Sequence, residues 1–539
     1  MQRRQFLGIA AGSAVSSALG LAPADVRASD RGVFQHGIAS GDPLHDRVIL
    51  WTRVSGVELE RVELTWQVAT DPEMRRVVAT GGAVTGPERD YTVKADVVGL
   101  DPATEYFYRF AWAKDLSAVG RTRTLPDGSP EAARFAVVSC SNYPYGFFHV
   151  YKEIAADDTL DAVIHLGDYF YEYGMGGYAT EYAEALGRVP DPLHETVSLA
   201  DYRARHAQYK MDPDSQAMLA MHPLIAVWDD HEVANDAWRG GAQNHQEEEG
   251  SYLERVRSAV QAYFEWMPIR GTANGIDTRI FRRFDYGDLA SLLMLDTRLF
   301  GRDAQPDAGG ETDPEVVGRH MQDPNRRLLG SEQEGWLADE LENAGTTWQL
   351  IGQQIMVAPT RSPDLTPLID LESNDGLSRD VLEQYIAVSK SNPPMLLDTW
   401  NGYPIAREAF LATLATHAAN PVVLSGDLHT SMAADLVPHQ ADVPVAVELM
   451  TTSVTSPGFD QYLPQVRPNA VRDATLDFNP MLKYMETARR GWLRVSVDRE
   501  RCVAEWNLVD SVHSPEYKVS LDQSFFLSAG KIADGLQET

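Results

Sequence analysis

The sequence predicts an α/β protein in two parts, a small β-sandwich followed by a larger domain on a buried sheet. Three observations carry that expectation. Early in the chain, short alternating apolar runs are broken by Gly, Pro and Asp turns. Further on, apolar strand-like runs alternate with helical patterns, and polar residues crowd directly behind the strands. A chain of 539 residues is long enough to hold both parts.

The chain opens with a segment that reads as an address. Residues 1–28 have the form of a signal peptide: Arg3 and Arg4, the apolar small-residue run from Ile9 to Leu21, and Val26-Arg27-Ala28 as a cleavage site. The run is shorter than the roughly 20 residues a membrane span needs, so no stable span is expected. Arg3 to Gly8 is similar to a twin-arginine signal, a route for folded proteins. The twin-arginine export machinery is therefore an expected partner, and the periplasm or the exterior the expected destination.

Residues 29–126 form the expected β-sandwich, with Val48-Ile49-Leu50-Trp51 and Val62 to Val68 as strands. Leu100 to Tyr108 resembles the tyrosine corner of a fibronectin type III-like module. After Pro126 to Pro130, residues 127–515 alternate strands (Phe135–Ser139, Ala162–Leu166, Leu224–Trp228, Ser291–Leu295, Trp348–Ile351, Val422–Leu424) with helices (Tyr202–Met221, Tyr252–Trp266, Glu332–Asn343, Ile405–Ala418). Residues 516–539 read as a C-terminal tail, and Thr360 to Tyr403 as a cover over the strand ends.

Composition narrows the function. The formal charge of −31 repels nucleic acid, and no nucleic-acid module is expected; loss of residues 1–28 would leave −33. Two cysteines, Cys140 and Cys502, are too few for a disulfide framework. There is no P-loop, no H-E-x-x-H and no nucleophile elbow, which disfavours a serine hydrolase. Gly174 to Ala179 fits a dinucleotide fingerprint but does not open a helix after a strand.

The strand ends carry the chemistry. Cys140-Ser141-Asn142 follows the first α/β strand, Gly167-Asp168-Tyr169-Phe170-Tyr171-Glu172 the second, Asp229-Asp230-His231-Glu232 the third, and Gly426-Asp427-Leu428-His429 a later one. Ligands of α/β sheets bind outside the carboxyl ends of strands, so these clusters are expected to share one site. Carboxylates with a thiol, a phenol and imidazoles suit two or more cations, and a metal-bound hydroxide as nucleophile at phosphorus.

The strings Ser139 to Asn142, His165 to Tyr173, Trp228 to Asp236, Leu295 to Arg298 and Ser425 to His429 are similar to those of PhoD-type alkaline phosphatases. The resemblance spans roughly residues 30–515. It implies a metallophosphatase-like α/β sandwich, ferric iron (Fe3+) with calcium (Ca2+), and hydrolysis of phosphate monoesters and diesters, including phospholipid or teichoic-acid-like diesters. A phospholipase D-like phosphodiesterase on the same scaffold is the nearest alternative, and a non-enzymatic exported binding protein the next.

It also implies roles. Cys140 would bind iron as a thiolate, Asp168 would bridge iron and the second metal, and Tyr171 would be a tyrosinate on iron. Asp230, ahead of Asp229, would ligate the second metal. Asp427 and His429 would bind the second metal and iron, and Asn235 with Asp236 would ligate or orient a ligand. His231 would contact the phosphate or protonate the leaving oxygen, with a structural histidine as the alternative. Arg298 would grip phosphate or form an internal salt bridge. Asn142 is a weaker catalytic candidate, as is Asp296. His165 and Cys502 read as core.

Overall fold

A computed structural model describes residues 32–311, 313–369, 379–459, 466 and 468–539. The signal-peptide reading lies outside the described residues, as do the first residues of the front module and part of the expected cover.

In the front module, strands β1 (Ile38–Gly41), β2 (Arg47–Arg53) and β5 (Thr92–Val98) face a second sheet of β3 (Val62–Ala69), β4 (Val77–Thr85), β6 (Glu105–Trp112), β7 (Asp115–Leu116) and β8 (Gly120–Arg123). Period-two patterning builds the core between them: Val62, Leu64, Tyr106, Tyr108 and Phe110 point inward against Val48, Leu50, Val93 and Val97. The Tyr106 hydroxyl accepts the Asp101 N–H at 2.9 Å, pinning the turn before β6 as the sequence suggested.

The module is not a separate sheet. Its strand β1 pairs in parallel with β11 (Pro223–Ala226), Ser40 opposite Pro223 and Gly41 opposite Leu224. Only glycine fits at position 41, because a Cβ there would meet Pro268 O at 2.3 Å and Leu224 O at 2.6 Å. The boundary expected near residue 126 therefore crosses a continuous sheet.

That sheet has ten strands in the order β22-β21-β20-β19-β9-β10-β11-β1-β2-β5, adding β9 (Ala132–Val138), β10 (Ala162–His165), β19 (Arg490–Asp498), β20 (Arg501–Val509), β21 (Val519–Ser528) and β22 (Gln537–Glu538). A seven-stranded sheet, β12-β13-β14-β15-β17-β16-β18, comprises β12 (Arg282–Tyr286), β13 (Ala290–Met294), β14 (Trp348–Gly352), β15 (Pro421–Ser425), β16 (Ser431–Leu436), β17 (Ala446–Met450) and β18 (Leu482–Glu486). Strands β9, β10, β11 and β1 run parallel, as do β13, β14, β15 and β17.

Alternation along β13, β14 and β15 packs these sheets face to face. Leu292, Met294, Leu350, Val422 and Leu424 share one core with Phe135, Val137, Val163 and Ile225 of the other sheet. Their neighbours Leu293, Ile351 and Val423 turn the other way, onto Leu337 of α7 (Ser331–Glu342) and Leu411 and Leu414 of α9 (Pro404–His417). Strands buried on both faces read as continuous apolar runs, which is why they were legible.

Two sequence expectations are corrected. Residues 516–539 are not a tail: β21 pairs with β20 over its whole length, burying Phe525 and Leu527. The helix expected over Tyr202–Met221 is two, α3 (Leu199–Met211) and α4 (Pro213–Met221). Pro213 has no N–H to continue the first helix, and Asp212 caps the second by accepting from Asp214 N and Ser215 N. Among the described residues no helix is long and apolar enough to cross a membrane.

Candidate metal centre

The four strand-end clusters converge, as the topology requires of parallel strands with a common polarity. The backbone delivers them by an unusual route: Cys140, Asp168, Asp236, Asp427 and His429 all have φ between 53° and 65°. Left-handed conformations cost non-glycine residues energy and concentrate at functional sites. Gly167, at φ 109°, lets the loop pass so close to the next one that a Cβ would meet Asp229 N at 2.3 Å.

Three groups of donor atoms among the described residues share Asp168; one adds Asp230 and His231, and the other two divide the strand ends between them. In one, Cys140, Asp168 and His429 place their ligand atoms within 4.8 Å of one another. The Tyr171 hydroxyl joins it, donating to Asp168 Oδ2 at 2.9 Å and lying 2.9 Å from His429 Nε2. His429 Nδ1 sits 2.8 Å from the Pro457 carbonyl, which fixes the proton there and leaves Nε2 as a lone pair. In the other, Asp168, Asp229, Asp230 and Asp427 converge within the same distance. Asp230, Asp236 and Asp398 form an adjoining group.

The electrostatics fit cations. Burial, then the neighbouring carboxylates, pushes the Cys140 thiol well up; burial and the Asp168 charge do the same to the Tyr171 phenol. Burial is also the main cause that raises Asp168 and Asp427 far above the usual carboxylate range, and that moves Asp229 to about 7. Burial lowers His429 to about 3, so it is neutral and able to ligate. Asp230 Oδ1 is buried without a hydrogen-bond partner. So many opposed anionic donors are tenable together only with positive charge among them.

Three buried carboxylates hold this wall from behind. Glu232 accepts the backbone N–H groups of Asp168 (3.0 Å), Tyr169 (2.7 Å) and Asp229 (2.8 Å), clamping two ligand loops to each other. Glu172 accepts from His231 Nδ1 at 2.6 Å and from Asn235 N at 2.8 Å. Glu448 accepts from Val357 N, Ala358 N and Ser425 Oγ. Glu172 and Glu232 stood inside the strings singled out above without a role. Asp398 gave no signal, since no strand precedes it.

Other expected residues sort unevenly. His231, Asn235, Asp236, Asp427 and His429 line a cavity of about 600 Å³ with Asp168 and Asp230. Arg298 does not face it. Its guanidinium is fully buried on Asp229, on Asp398 Oδ2 at 2.6 Å and on Asp427 Oδ1 at 3.2 Å, with Asp230 Oδ1 at 3.5 Å. Of its two readings, the internal salt bridge is the one the geometry bears, because every face of the fork is taken. Asn142 is not in the cavity lining; its Oδ1 accepts from Tyr145 N and its N–H donates to Thr455 Oγ1, so it shapes a turn. Asp296 likewise accepts the N–H groups of Arg298, Leu299 and Phe300. His165 and Cys502 are buried core residues.

Comparison with known proteins agrees with this layout. Residues 135–506 match the family model of PhoD-like phosphatases, and residues 20–126 the model of their N-terminal domain. The chain is 34% identical over 508 residues to alkaline phosphatase D of Bacillus subtilis (strain 168), covering 91% of this chain and 80% of that protein. A solved structure described as that of PhoD superposes with a TM-score of 0.79 at 32% identity, over 94% of this chain and 92% of the other.

Proposed function

The chain belongs to the PhoD-like phosphatase family and is a hydrolase of phosphoric ester bonds; on that premise we propose that it cleaves phosphate monoesters and diesters at cation sites sharing Asp168. Cys140, Asp168, Tyr171 and His429 would hold ferric iron, since thiolate, phenolate and imidazole suit a transition metal. Asp168, Asp230 and Asp427 would hold calcium, which prefers oxygen donors. The observation that carries the reading is Tyr171, 2.9 Å from both Asp168 and His429 beside Cys140. When bound, the cations supply Lewis acidity, offsetting charge on the phosphate oxygens and lowering the pKa of water toward about 7.

The chain's own residues do the rest. His231 spends Nδ1–H on Glu172, so Nε2 is the atom left to hold a proton for the departing oxygen. Burial opposes charge on this ring, but Glu172, Asp168 and Asp230 hold it well above the usual histidine range. Arg298 offsets the charge of Asp229, Asp398 and Asp427 and fixes their directions. With Asp229 committed to Arg298, Asp230 is the better placed of the pair to ligate.

The same reading takes the two-sheet sandwich as the metallophosphatase type and the front module as fibronectin type III-like. Residues 1–28 would be removed after twin-arginine export to the periplasm or beyond.

The test is elemental analysis of the purified protein alongside phosphate release from a chromogenic monoester and diester. The expected result is bound iron and calcium, with both contents reduced and turnover lower by on the order of a thousandfold or more in Asp168→Ala. Full activity in metal-free protein, or in Asp168→Ala, overturns the reading.

A further inference from the structure

The cavity has a second wall that none of this chemistry uses. Leu365, Tyr385, Val388, Met395, Leu396 and Phe459 line it together with the carboxylates and imidazoles. Helix α8 (Arg379–Ser389) shows how the wall is made. Leu382 and Ile386, four apart, are buried against Ile369, Val466 and Val471. Tyr385 and Val388, three apart, belong to a different stripe, stay 45% and 52% exposed, and line the cavity.

Leu396 points the same way by an independent route. It holds φ at 50° and yet stays 49% exposed. A left-handed leucine is strained, and here no core burial offsets the strain. Its side chain lines the cavity instead.

Among the described lining residues there is no lysine or arginine. The Arg298 guanidinium is buried among aspartates and offers nothing to a second anion. The volume of about 600 Å³ lies in the range of pockets that enclose drug-sized organic ligands, far more than a bare phosphate fills.

We infer that this wall is a leaving-group subsite, so that the preferred substrates are phosphate esters of uncharged alkyl or aryl alcohols. The inference rests on the phosphoesterase reading above and deepens it. The reacting phosphate takes the cation side, and the organic group lies on Leu365, Val388 and Leu396, where burial of apolar surface favours it.

The experiment is a series of n-alkyl phosphates from methyl to hexyl, whose alcohols differ little as leaving groups, with 1,6-hexanediol bisphosphate as the doubly charged comparison. kcat/KM for phosphate release is expected to climb about fourfold per methylene over part of the series. The bisphosphate is expected to fall more than tenfold below hexyl phosphate. In Leu396→Gly, which relaxes the backbone while deleting the side chain, and in Val388→Asn at an exposed helix position, the slope is expected to flatten.

Calorimetric binding of methyl and hexyl phosphonate to the metal-loaded protein reads the wall without turnover. A flat series in the wild type, or a slope unchanged in both variants, overturns the inference. A chain-length slope in phosphonate binding without hydrolysis of any ester sustains the subsite and overturns the catalytic reading; flat binding with no hydrolysis overturns both.

Discussion

The two walls of the cavity are built on opposite plans. The cation side consists of strand-end residues that are nearly all buried, several in left-handed conformations, with buried carboxylates that tie some of their loops to one another. The covering side comes from α8 and its flanks, where apolar side chains stand half exposed on a small core of their own. One wall tolerates almost no change, because displacing one loop strands the polar groups of another. The other is adjustable, because its residues owe little to their neighbours. Chemistry is thus fixed on the sheets, and discrimination among alcohols rests on a layer that is able to vary without disturbing it.

The sharpest way to break this contrast is to remove a backing carboxylate. Glu232→Ala strands three buried N–H groups at roughly 1–3 kcal/mol each, so thermal and urea unfolding should show a loss of 3 kcal/mol or more, together with loss of bound metal. Val388→Ala on the covering wall should change stability by less than about 0.5 kcal/mol in the same assays. Comparable losses in the two proteins would end the distinction.

A smaller effect is expected at Glu172. Glu172→Gln keeps an oxygen opposite His231 Nδ1 but removes the charge, and should lower kcat by about 10–100-fold with little change in KM. It should also shift the alkaline limb of the pH–rate profile downward, since Glu172 helps hold the His231 proton. An unchanged profile would make His231 structural.

An effect of another kind concerns the support beneath the cation wall. Lys210 is fully buried, donates to the Tyr169 hydroxyl at 3.1 Å, and is brought by burial from 10.5 to about 7. Between those values the unfolded chain binds a proton that the folded chain does not. Stability contributed by this group therefore rises with pH from about 7 to about 10, by at most on the order of 1.4 kcal/mol per unit, and is lacking below that window. Comparing urea midpoints of the wild type and Lys210→Met at several pH values should show the slope only in the former.

How far the sequence reached can be judged from particular residues. Cys140, Asp168, Asp427 and His429 were legible because each directly follows an apolar strand, and parallel strands deliver their ends to one place. Glu172 and Glu232 were visible as letters only, since what defines them is burial beneath loops distant in sequence. Strand β21 read as a tail because eight of its ten residues are exposed or only partly buried and only Phe525 and Leu527 are fully buried. The pairing of β1 with β11 had no local signal that periodicity reads: what marks it is Gly41, small because the Pro268 and Leu224 carbonyls lie against it.

The place of β9 in the large sheet has a consequence for how the molecule comes into being. It lies between β10 and β19, so Ala132–Val137 must wait for Leu493–Asp498 before its second edge is covered. A nascent chain therefore carries an open, largely apolar strand edge until β19 has been made. Closing a loop of that size is entropically slow, and an uncovered edge invites pairing with other chains meanwhile. Intolerance of truncations that remove β19 follows from that one strand's position.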